Sequence, residues 1–90
     1  MADEVYTKEQ VLDALRNIPC DKCNYTDWVN VGMALKSAGF DCSVWDSWSA
    51  TDPQRYNQRV NYKKWETFEN GGITIGTLIH MAKEYGWSSY

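Results

Sequence analysis

The chain has 90 residues, enough for one domain spanning 1–90 and too few for two. Its net charge of −3 excludes a domain that holds a polyanion through total charge, so any such site must be a local basic patch. No run approaches the ~18 apolar residues of a membrane span. The opening MADEVYTKEQ lacks the basic and apolar regions of a secretory signal, so a cytoplasmic chain with no membrane contact is expected.

Thr7 and Gln10 fit a capping box, and Val11, Leu12, Leu15 and Ile18 follow at helical spacing until Pro19 stops the run. This predicts a first helix over about Lys8 to Asn17. Cys20 to Asn24 reads as a polar connection, with Asn24 or Thr26 able to cap the next helix. Trp28, Val31, Gly32 and Leu35 form an i, i+3, i+4, i+7 stripe that ends at Gly39. Glycine inside a helix costs ~1 kcal/mol against alanine. On the buried stripe, Gly32 therefore signals the close approach of another helix or a bulky tryptophan.

Val44, Trp45 and Trp48 predict a short helix, and Ser49 to Pro53 a turn from which Asp52 and Pro53 open another short helix. Asn61 is then expected to cap a further short helix carrying Tyr62, Trp65 and Phe68, ended by Gly71 and Gly72. Thr74 is a candidate cap for the last helix, where Ile75, Leu78, Ile79 and Ala82 make another stripe. Gly86 closes that helix, with Trp87 folded back on its end. No segment alternates with period two. The fold class is all-α, a small irregular bundle of about five helices. Aromatic residues make up 14% of the chain. Each can bury ~150–250 Å², which suits a core built without metal or disulfide.

Four segments also carry a resemblance. Asp27-Trp28-Val29-Asn30-Val31-Gly32-Met33-Ala34-Leu35 resembles the "dW-x-x-V-G-M-A-L" segment of the second type of primase C-terminal domain (the PriCT family), the helical module of phage and plasmid primases. Trp45-Asp46-Ser47-Trp48-Ser49 is similar to its "W-x-x-W-S", and Trp65-Glu66-Thr67-Phe68 to its "W-x-S/T-F". Gly72 to Leu78, with Ala82-Lys83 and Gly86-Trp87, is similar to its "G-I-T-I-G-T-L … A-K … G-W" ending. The resemblance runs from about Val11 to Trp87, and Cys20, Cys23 and Cys42 depart from it. It implies a non-catalytic accessory domain of a DNA primase or primase-helicase, whose polymerising chemistry lies in a neighbouring domain. The implied partners are single-stranded template DNA or an initiating nucleotide, and the primase catalytic domain or a helicase. The alternative is a protein-interaction domain without nucleic-acid contact.

Arg55, Arg59, Lys63 and Lys64 are four of the nine Lys and Arg residues and lie within ten positions, interleaved with Tyr56 and Tyr62. Arg55 and Arg59 would share a face if helical. Such a patch can follow a phosphate backbone while tyrosines stack on bases. Of Trp45 and Trp48, three apart, one is expected in the core and the other, Trp48, partly exposed as a second stacking surface. Trp28 and Trp65 sit on apolar stripes and read as core. The nucleic-acid-binding set is thus Arg55, Tyr56, Arg59, Lys63, Lys64 and Trp48.

Cys20-x-x-Cys23 is half of a zinc site, but only Cys42 and His80 remain as soft ligands and no second spaced pair occurs. No metal and no cofactor are expected. His80 reads as a helix residue at the edge of the core. Nothing pairs a nucleophile with an oriented base, so no catalytic residue is assigned.

Overall fold

In the computed structural model, residues 6–69 and 72–88 are described, and they form five α-helices with no strand among them. Helix α1 spans Lys8–Arg16, α2 Tyr25–Ser37, α3 Cys42–Ser49, α4 Gln58–Thr67 and α5 Ile75–Glu84. A 3₁₀ turn, Cys20–Lys22, joins α1 to α2.

Local chemistry sets the ends of α1 and α2. Thr7 Oγ1 accepts the Gln10 N–H at 3.0 Å while Gln10 Oε1 accepts the Thr7 N–H at 2.9 Å, closing the expected capping box. Asn24 rather than Thr26 caps α2, its Oδ1 accepting the Asp27 N–H at 2.8 Å. Both α2 and α5 end in paired carbonyl-capping bonds. Phe40 N–H donates to Leu35 and Trp87 N–H to Ala82, which requires left-handed backbone at Gly39 (φ 86°) and Gly86 (φ 95°).

Helix α2 is the hub, packing on α5, α3 and α4, while α1 packs on α5. The core gathers Val11, Ala14 and Leu15 of α1, Val31, Ala34 and Leu35 of α2, and Leu78, Ile79 and Ala82 of α5. Trp87 folds back as expected and ties the segment after α5 to α1, its Nε1–H donating to Asp13 Oδ2 at 2.8 Å. The reason for Gly32 is also visible. A Cβ there would lie 2.5 Å from Phe68 Cε2 and 2.7 Å from Trp45 Cε2.

The middle of the chain differs from expectation. Asp52 and Pro53 open only a single turn, in which the Asp52 carbonyl accepts the N–H groups of Arg55 and Tyr56 at 3.2 and 3.1 Å. One helix, α4, replaces the two short ones, and its cap is Asn57, whose Oδ1 accepts the Val60 N–H at 3.1 Å. Asn61 is an interior residue of α4, and its side chain is buried because it donates to Asp46 Oδ1 at 3.1 Å. Gly71 lies outside the described residues. Trp45 and Trp48 are both buried, whereas Trp28 and Trp65 are only half-buried. Thr74 holds the N-cap position of α5 without a side-chain hydrogen bond. His80 is exposed rather than at the core edge, since it falls one residue beyond Leu78 and Ile79 on the stripe, and Nε2 lies 3.5 Å from Glu84 Oε2.

Candidate nucleic-acid interface

Helix α4 carries most of the basic cluster, and its helical period distributes those residues around it. Asn61, Trp65 and Phe68 share the inward side, where Phe68 packs edge-on to Trp45 at 5.1 Å between centroids. Val60 and Lys64, one turn apart, form one edge. Lys63 lies beyond that edge, and Arg59 one turn earlier faces away from the core. None of Arg59, Lys63 and Lys64 is in an ion pair with a carboxylate among the described residues.

Arg55 is placed differently. It lies in the turn before α4, so it shares no helical face with Arg59. Its Nε donates to Asp52 Oδ2 and its Nη2 to the Cys20 carbonyl at 2.7 Å, tying the turn to the 3₁₀ segment. The bond to Asp52 also raises the guanidinium's affinity for its proton. The Nη1 group is left without a hydrogen bond among the described residues, and the side chain is 52% exposed.

The two tyrosines of the cluster part company. Tyr56 OH donates to Asp46 Oδ2 at 2.8 Å, and that bond raises the phenol's pKa by favouring its protonated form. Asp46, 7% exposed, thereby receives one bond from Tyr56 and one from Asn61. Tyr62 sits on the other edge of α4, and its phenol is raised by burial and by the nearby groups of α3, Cys42 and Asp46. Trp48 is 5% exposed and its Nε1–H is spent on the Ile18 carbonyl at 2.8 Å, so it presents no free face for a base.

Three-dimensional packing adds residues that the linear cluster does not contain. Tyr25, at the start of α2, is 61% exposed, and the Lys64 ammonium lies 5.4 Å from its ring centroid. Behind Tyr25 the rings continue inward, Tyr25 to Trp28 at 5.7 Å and Trp28 to Trp45 at 4.5 Å. Trp28 is fixed by its Nε1–H bond to Ser49 Oγ at 2.9 Å. Tyr25 and Trp28, three apart in sequence, were available as a same-face aromatic pair. What sequence spacing could not supply was α4 standing opposite them.

All three cysteines are buried free thiols. Burial pushes the thiols of Cys20 and Cys23 up to about 11. Among the described residues no group of three or more His, Cys, Asp or Glu side chains could hold a metal ion. No helix among them is long and apolar enough to cross a membrane.

A small all-α module, with a tryptophan-centred core and a basic edge on an acidic chain, is the class that this fold defines. The sequence profile of the family "Primase C terminal 2 (PriCT-2)" matches residues 11–82, and the chain belongs to that family of primase C-terminal accessory domains, which are not themselves catalytic. No curated protein and no solved structure matches the chain.

Proposed function

We propose that this domain helps a DNA primase hold single-stranded template, with the outer edge of α4 following the phosphate backbone. The observation that carries the reading is the set Arg59, Lys63 and Lys64, unpaired by carboxylates among the described residues of a chain of net charge −3. Backbone contacts of this kind are worth counterion release and weaken steeply with salt. Arg55 contributes differently. Its bonds to Asp52 and Cys20 make it a brace for the turn that presents α4.

The experiment is anisotropy of a labelled single-stranded oligonucleotide at several salt concentrations. Binding is expected at low salt, with a log–log slope that falls by about 1.4 in Arg59→Ala with Lys63→Ala, at ~0.7 per lost contact. No binding at low salt, or an unchanged slope in the double variant, overturns the proposal. These two positions are better probes than Arg55, whose removal would also release the turn.

A second reading, docking of an adjoining primase or helicase segment, is favoured by a separate feature. A groove of about 590 Å³ runs between α1 and α3, with Leu12, Leu15, Ile18, Val44 and Trp48 as its apolar lining and Arg16, Asp21 and three hydroxyl side chains beside them. Placing Glu at Leu12, which is half-buried there, should abolish capture of the adjoining domains in trans while leaving the salt slope for DNA intact. Unchanged capture removes this reading.

A further inference from the structure

A cleft of about 380 Å³ opens beside the basic edge of α4, between that helix, the start of α2 and the turn after α3. Tyr25, Trp28 and Tyr56 line it with aromatic surface, Val60 and Asn61 line it from α4, and Arg55 lines it together with its partner Asp52 and with Cys20 and Ser49. The volume lies near the lower end of the ~300–1,000 Å³ of small-molecule sites. Val60 is 52% exposed although it is a β-branched apolar residue that lines the same cleft as Tyr25, Trp28 and Tyr56.

The geometry points to this cleft as the seat of one unstacked base of the bound single strand, an inference that rests on the proposed template-holding role. Three features select a base over an aliphatic side chain. Three of the lining side chains are aromatic, and stacking on such surface is open to every base because each has a π-face. Arg55, held by Asp52 and Cys20 through two of its nitrogens, keeps Nη1 available to donate to a ring carbonyl or nitrogen. Charge is arranged to match, because Lys64 stands over the Tyr25 ring at the cleft's edge and Lys63 follows it outward. A nucleotide whose base enters the cleft would leave its phosphates on the side where these ammonium groups are.

Preorganisation supports the same assignment. Trp28 is locked by Ser49, and Tyr56 by Asp46, so two of the three aromatic side chains keep their orientation without ligand. Tyr25 has no such hydrogen bond among the described residues but already packs on Trp28, so the aromatic lining is largely set before binding, which limits the entropic cost of closing on a base.

The test compares a labelled oligothymidylate with an abasic strand of the same length and charge, on the full chain at low salt. The wild-type chain is expected to prefer the strand with bases by roughly tenfold, the scale of one stacked base. Val60→Met, which extends into the cleft from an exposed position and offers no ring for stacking, should weaken that preference while leaving the salt slope unchanged. Equal affinity of the wild-type chain for both strands, with salt-dependent binding intact, overturns the cleft and leaves the cationic edge standing. Val60→Met that is folded by its thermal melt and keeps the full wild-type preference also overturns the cleft. Absence of binding to either strand overturns both. If Val60→Met does not fold, the comparison of strands on the wild-type chain decides alone.

Discussion

Gly32→Ala isolates the energetics of the core in one methyl group. Two terms oppose each other. Alanine is better than glycine inside a helix by ~1 kcal/mol. Against this, the new Cβ would meet Phe68 at 2.5 Å and Trp45 at 2.7 Å, when carbon atoms settle at ~3.5–4.0 Å. Both neighbours are rings without a flexible end. Trp45 has no exposed surface through which to retreat, and its Nε1–H is bonded to the Trp28 carbonyl at 3.1 Å. Relief therefore requires the rings, or α2 against α3 and α4, to shift by nearly 1 Å. Overpacking of this kind typically costs ~1–3 kcal/mol, and a shift shared by two locked rings belongs in the upper half of that range. After subtracting the helix term, the net loss is about 1–2 kcal/mol. In a domain of this size each kcal/mol lowers Tm by ~4–8 °C, so thermal denaturation followed by circular dichroism should show a fall of roughly 5–15 °C. An unchanged or higher Tm would refute the reasoning, because it would mean that the rings yield freely and helix propensity alone decides.

Other perturbations read other parts of the structure. Asp46→Ala should cost about 1–3 kcal/mol in urea denaturation, since it strands the buried Asn61 amide and the Tyr56 hydroxyl; a loss below 0.5 kcal/mol on the scale of ordinary surface changes would contradict that bonding. Thr7→Ala should remove ~1 kcal/mol by opening the capping box of α1, measured the same way. Cys20 and Cys23 should resist a thiol reagent at pH 8 until the chain unfolds, because the folded thiols are pushed from 9.0 to about 11. The same shift fixes the pH dependence. Between those values the folded state holds protons that the unfolded state has released, so this contribution is full below pH 9 and disappears as pH rises through 11. Stability that rose over this window would contradict the burial of these thiols.

The sequence was most legible where the determinants are local. The capping box at Thr7, the stripes of α2 and α5, and the glycines that end those helices each lie within one or two turns of what they control. Gly32 was legible by its incongruity, as a poor helix former on a buried stripe. The stretch around α4 was not, because its two key asparagines are chemically identical and only distant partners tell them apart. Asn57 caps the helix, whereas Asn61 is taken into the interior by Asp46, fifteen residues earlier. The basic cluster was visible as composition, but its division was not. The Asp52–Arg55 pair stands at i, i+3 spacing, but the Cys20 carbonyl that also holds Arg55 and the Asp46 carboxylate that holds Tyr56 are partners that no spacing rule singles out.

Core and candidate site are also joined through the rings. Trp45 donates to the backbone carbonyl of Trp28, and the Trp28 ring lies 4.5 Å from that of Trp45 on one side and 5.7 Å from that of Tyr25 on the other. A shift of Trp45 therefore moves a wall of the cleft, whereas Arg59 and Lys63 point away from the core and are spared. Gly32→Ala should then weaken the preference for a strand with bases over an abasic one while leaving the salt slope near that of the wild-type chain. Loss of both in equal measure would mean that the substitution acts by loosening the whole fold. Retention of the full preference would show that the tryptophan ladder does not transmit core strain to the surface.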